Sequence, residues 1–326
     1  MKYLIVEMYI SKHPAKCDEF IDKLKTEDYD ACIFYAPSEW EYWFPHDAKK
    51  LWNTIVEVIQ HRNKRIEVIT GSAGVLYGEP KLDFVNVHTW DTYWITSTYY
   101  SLQDYNREIK PYTYKYIYMN HNAHDWRCKL IDLVSKNNLI DYGAVSWHRL
   151  PDNYPWQYFK PKILKLTDSF PDSFNYFALP KEYDESFMQL VSESSRDALF
   201  ITEKTAIPLL TAKPFLVASV PGYHSHLQKL GFELYTEIFD YSFDDEIDEG
   251  LRYQKLLNNL VKICNSTEDQ LTSAYNQIKE KLLFNRNRVI EIATQNINKP
   301  AILHNFPENL WHYDARIYNK YMFIAV

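Results

Sequence analysis

Apolar and polar positions alternate in two different periods along roughly the first hundred residues. Short β-rich runs, YLIVEMYI from Tyr3, ACIFYAP from Ala31, RIEVITGS from Arg65 and DFVNVHTW from Asp83, are separated by polar or amphipathic stretches. The clearest of these stretches is KKLWNTIVEVIQHR from Lys49, whose apolar residues recur at helical spacing. Strands interleaved with helical patterns predict βαβ units and a mainly parallel sheet.

The pattern then restarts. YKYIYMNH from Tyr114 reads as a strand and DWRCKLIDLVSKNN from Asp125 as a helix, with Trp126, Leu130, Leu133 and Val134 on one face. Leu139 and Ile140 lead to DYGAVSWH, a turn and another strand. SFMQLVSES and PFLVASV are further strands, with TEKTAIPLLTA between them and GYHSHLQKLGF after them as short helices. From about Asp244 to Asn298 the chain is helical, and it ends in the aromatic segment FPENLWHYDARIYNKYMFIAV. A chain of 326 residues exceeds the size at which one core keeps growing. The expected fold class is therefore α/β, with two Rossmann-like domains facing across a cleft and helices toward the C-terminus. The restart puts the boundary between about 100 and 113: one α/β domain over 1–110, a second over 111–300, and a tail, 301–326, packing back on the first domain.

Composition narrows the function classes. A net charge of −7 lacks the basic footprint that phosphate backbones require. The aromatic share of 16% supplies stacking faces for sugars or bases, and equally supplies core. Cys17, Cys32, Cys128 and Cys264 form no C-x-x-C pair, so they read as buried thiols. The opening apolar run is interrupted by Glu7 and reads as a first strand, not a signal peptide. No stretch approaches the roughly 18 apolar residues of a membrane span, so a cytoplasmic protein is expected, in the host cytoplasm if the source is a virus.

Two segments carry candidate chemistry. In FITEKTAIPLL, from Phe200, a strand is expected to end at Ile201 and a helix to begin near Thr202. Thr202 suits an N-cap, and a helix start presents free N–H groups to an anion. Lys204 adds a point charge suited to a diphosphate, and Glu203 can accept from ribose hydroxyls. The same residues also fit a capped surface helix. In MNHNAHDWRCKL, from Met119, Arg127 stands in a first helical turn, where a guanidinium either reaches back to a phosphate or is simply solvated. His121 and His124 lack a third ligand at sensible spacing, so no metal is expected.

The stretch YIYMNHNAHDWRCKLIDLVSKNNLIDYGAVSWH, followed by FITEKTAIPLLTAKPFLVASVPGYHSHLQKLGF, resembles the donor-binding domain of the α1,3-fucosyltransferase family. It is also similar to glycosyltransferase-like proteins of large phages and other viruses. The shared order is an Asn-rich strand end, an Arg-bearing helix, a "YG" before the next strand, and "TEK" opening a helix. The resemblance covers about residues 112 to 235. It implies a GT-B fold and a hexosyl- or pentosyltransferase with a nucleotide-sugar co-substrate and no other cofactor. By the resemblance, Arg127 and Lys204 clasp the diphosphate, Glu203 holds the ribose beside Thr202, and Asn122 and Ser146 face the same pocket from strand ends. It favours a GDP-sugar and an inverting reaction, for which one group must take the acceptor's proton. Glu79 holds a position comparable to the family's base, with Asp91 and His88 as rivals. The acceptor is a carbohydrate, a protein or another hydroxyl, with nucleic acid only as an acceptor, for example a modified base in DNA.

Other groups carry less. The acidic run DYSFDDEIDEG fits no calcium loop and reads as a solvated helix start. Trp40, Tyr42, Trp43 and Phe44 suggest a stacking platform for an acceptor. Two rival functions stand beside the transferase: a non-catalytic nucleotide-sugar-binding protein, and a nucleic-acid-modifying enzyme.

Overall fold

The computed structural model describes residues 2–7, 14–36, 46–71, 82–107, 111–120, 122–147, 151, 154–160, 162, 164, 166, 177, 179–195, 198–305 and 321–325. They fall into two compact units, Met1–Ser97 with Ile292–Val326, and Thr98–Glu291. The elements run β1 (Lys2–Glu7), α1 (Pro14–Thr26), β2 (Ala31–Ala36), α2 (His46–His61), β3 (Arg65–Thr70), β4 (Val85–Thr89) and α3 (Tyr93–Leu102). There follow β5 (Tyr114–Asn120), α4 (Asp125–Lys136), β6 (Gly143–Trp147), β7 (Ser186–Ser192), α5 (Glu203–Leu210), β8 (Phe215–Ala218) and α6 (Tyr223–Lys229). The long helices α7 (Glu249–Cys264) and α8 (Glu268–Thr294) and the strand β9 (Tyr321–Ala325) complete the chain.

In the first unit the strand order is β4-β3-β2-β1-β9, parallel except for β9, which pairs antiparallel with β1 at the edge. Period two puts Leu4 and Val6, Cys32 and Phe34, and Ile66 and Val68 on one face. There they pack with Phe20 and Leu24 of α1 and with Trp52, Ile55 and Ile59 of α2. The opposite face of β3 and β4 carries a different chemistry, because Glu67 pairs in register with Asn86 and Ile69 with His88.

The second unit has the order β6-β5-β7-β8, all parallel. β7 is buried along its whole length, as a central parallel strand covered on both faces must be. From β5 the chain steps outward to β6, then returns to β7 and β8 on the other side. The order therefore reverses between β5 and β7, and ligands of open α/β sheets bind beyond the carboxyl ends of the strands at such a point. Gly143 opens β6 against the Tyr116 ring, where an added Cβ would meet ring carbons 2.3 to 2.7 Å away.

Two local expectations need correction. The buried stripe of α4 is Arg127, Leu130, Ile131 and Val134, with Cys128 and Asp132, whereas Trp126 and Leu133 are half-buried. Residues Phe200 and Ile201 form no strand; they are buried by packing, since β7, ending at Ser192, already has β5 and β8 on its two sides. Trp40, Tyr42, Trp43, Phe44, Glu79 and His121 lie outside the described residues.

Candidate nucleotide-binding site

Two helices start at the carboxyl edge of the second sheet, next to the reversal. α4 follows β5, and its N-cap, His124, makes no side-chain capping bond. α5 is capped by Thr202, whose Oγ1 accepts from Lys204 N at 3.3 Å. Such a cap is worth about 1 kcal/mol. Helix starts of this kind leave backbone N–H groups and the positive end of the dipole facing outward.

Of the residues singled out from sequence, Arg127, Thr202 and Lys204 converge on the segment that leaves β7. Arg127 is 3% exposed, and its guanidinium donates to Asn122 O at 3.1 Å and to Glu193 O at 3.5 Å. Trp126 Nε1 donates to the same Glu193 carbonyl at 3.1 Å. Lys204 Nζ reaches Ser194 Oγ at 3.0 Å and Glu203 Oε1 at 2.6 Å. Thr202 donates to the Glu193 carboxylate through both its N–H and its hydroxyl. Arg127 and Lys204 therefore lean on adjacent residues, Glu193 and Ser194, at the point where the strand order reverses. Burial lowers the Arg127 pKa, opposed by the nearby Tyr118 hydroxyl and the Glu203 and Glu193 carboxylates. His124 is pushed down to about 4 by burial and then by the charges of Arg127 and Lys204, so the imidazole is neutral at pH 7. Its ring stacks on Trp126 at a centroid distance of 4.5 Å.

Asn122 contributes its backbone carbonyl and exposes its side chain. Ser146 is fully buried in β6, where its hydroxyl accepts from Asn120 N at 3.1 Å, tying β6 to β5. Asn120 is 3% exposed, and its amide finds no hydrogen-bond partner among the described residues. Glu193, Ser194 and Tyr223 escaped the sequence reading; the visible signal was a carboxylate directly after the apolar strand SFMQLVS.

In the first unit, the buried Glu67 accepts from His88 Nε2 at 2.7 Å and from Asn86 Nδ2 at 3.1 Å. Burial would raise the Glu67 carboxyl, but the His88 and Asn86 bonds prevail and its pKa is lowered. Asp91 Oδ1 accepts from Asn298 Nδ2 at 3.2 Å. Among the described residues no group of three or more His, Cys, Asp or Glu side chains could hold a metal ion, and no helix is long and apolar enough to cross a membrane.

No protein-family profile and no curated protein sequence matches the chain. Among solved structures, it is similar to the DNA-modifying enzyme beta-glucosyltransferase, determined in the presence and absence of uridine diphosphoglucose. That likeness has a TM-score of 0.42 and 10% identity, and covers 90% of this chain and 99% of that one. At this level it says nothing about activity.

Proposed function

We propose that the chain is a GT-B glycosyltransferase whose second unit grips a nucleotide-sugar donor and whose first unit serves the acceptor. One observation carries the reading: Arg127 and Lys204, on two different helix starts, meet on Glu193 and Ser194 beside the reversal of strand order. Two cations and two helix N-termini suit a diphosphate, and stabilising the departing nucleoside diphosphate is the largest catalytic contribution such a site can make. Glu203 takes the ribose hydroxyls and Thr202 keeps the α5 start in place. The resemblance to the α1,3-fucosyltransferase family supports a GDP-sugar and inversion.

Inversion needs a base for the acceptor hydroxyl. Of the two candidates among the described residues, Asp91 and His88, the geometry favours His88, with Glu79 as its rival. With Nε2–H donated to Glu67, its Nδ1 is the ring nitrogen left to accept a proton. The acceptor is a glycan, a protein or a modified base.

A thermal-shift screen against UDP-, GDP-, CDP- and dTDP-sugars tests the proposal. A donor at 100 times its dissociation constant adds about 2.7 kcal/mol of stability. No stabilisation by any of the four classes at millimolar concentration would sink it.

A further inference from the structure

Glu193 is fully buried directly after β7, and the hydrogen bonds to its carboxylate come from hydroxyl and backbone N–H groups. Its Oε1 accepts from Thr202 N at 3.2 Å, Thr205 Oγ1 at 2.6 Å and Tyr223 OH at 2.8 Å. Its Oε2 accepts from Thr202 Oγ1 at 2.6 Å and Ser194 N at 3.1 Å. Five donors thus face an acceptor-only group, which offsets the several kcal/mol that burying a lone carboxylate would cost. These donors come from the β7 exit, from both sides of the α5 start, and from α6. Meanwhile the backbone carbonyl of the same residue holds Arg127 and Trp126 of α4.

We infer that Glu193 is the positioning residue of the donor site. Its carboxylate fixes the α5 start, and with it Lys204 and Glu203, while its carbonyl fixes Arg127, so that both phosphate-binding cations share one anchor. This rests on the donor-site reading above. No ligand contact is asked of Glu193 itself. A glutamine there would turn an NH₂ toward some of the five donors, leaving buried N–H or O–H groups unpaired and the α5 start free to shift.

The test measures inorganic pyrophosphate, UDP and GDP binding by calorimetry, well below the unfolding temperature, with circular dichroism as a check on folding. Glu193→Gln is expected to weaken pyrophosphate binding at least tenfold. Thr205→Val, nearly the same shape without the hydroxyl, is expected to weaken it about fivefold, while Thr205→Ser binds as the wild type does. A role in packing alone would give the reverse order for the two Thr205 variants. A folded Glu193→Gln that binds pyrophosphate within twofold of the wild type overturns the inference. Where that variant fails to fold, Thr205→Val decides, and binding within twofold of the wild type again overturns it. Should the unaltered protein bind none of the three probes, the donor-site reading itself fails, and this inference with it.

Discussion

Lys204 Nζ and Glu203 Oε1 lie 2.6 Å apart, an ion pair between consecutive residues in the first turn of α5. If Lys204 serves phosphate and Glu203 serves ribose, this pair must open when the donor enters, each partner exchanging the other for a piece of nucleotide.

The exchange gives opposite signs for two probes. Glu203→Gln releases Lys204 at once, so inorganic pyrophosphate should bind about threefold more tightly than to the wild type. A nucleoside diphosphate, which also loses its charge-assisted ribose contact, should bind more weakly by about 1.5 to 3 kcal/mol. Calorimetry with both probes checks this. An unchanged gap between them would take the ribose role away from Glu203.

Arg127 and Lys204 should be separable in stability but not in binding. Lys204→Ala and Arg127→Met should each cost about 1.5 to 3 kcal/mol of nucleotide-sugar affinity, the usual range for a hydrogen bond to a charged group. Arg127 is buried, and its Nε has no partner among the described residues, so methionine of similar length relieves a desolvation penalty while keeping the volume. Its unfolding free energy should fall by about 1 kcal/mol or less in urea titration. A much larger fall would make Arg127 a folding residue first.

The pH dependence of stability follows from His124. Its folded pKa of about 4 lies below its ordinary value of 6.5, so between these values the unfolded chain binds a proton that the folded chain does not. Stability from this group is complete above about 6.5, drains away as pH falls through the window, and levels off below about 4. Relative to His124→Gln, the wild type should lose about 1 to 3 kcal/mol between pH 7 and pH 4, after discounting for partial exposure. Urea unfolding of both proteins across that range is the measurement. Parallel curves would show that the imidazole titrates normally.

The periodicity made both sheets legible, because fully buried parallel strands such as SFMQLVS and amphipathic helices such as KKLWNTIVEVIQHR leave strong local patterns. The placement of Thr202 as the cap of α5 and of Arg127, Glu203 and Lys204 in first helical turns was legible because helix starts have their own chemistry. Glu193 was not, since its importance depends on Thr205 and Tyr223, 12 and 30 residues away. The apolar side chains of Phe200 and Ile201 misled for a related reason: burial without pairing looks like a strand in sequence. The pairing of Glu67 with His88 is likewise a matter of register between β3 and β4, which no single segment displays.

That pairing leads to the choice of base. A glutamate 5% exposed, held to the His88 Nε2 at 2.7 Å and steadied by Asn86 at 3.1 Å, fixes the imidazole tautomer with Nδ1 as the basic atom and stabilises the imidazolium once it forms. Asp91 Oδ1 accepts from the neutral amide of Asn298, whereas His88 is held by a buried carboxylate. If His88 takes the acceptor's proton, His88→Ala should lower turnover of the nucleotide sugar identified by the screen by about 10²- to 10⁴-fold, with donor affinity unchanged because the donor is held by other residues. Glu67→Gln should keep the hydrogen bond but lose the negative charge beside the ring, giving a smaller fall in turnover. Asp91→Asn should fall less than about tenfold, below the general-base range. Glu79→Gln, assayed alongside, is the competitor: a large loss there with His88→Ala nearly unaffected would move the base to Glu79, and the Glu67 and His88 pair would then be a structural contact of the first sheet.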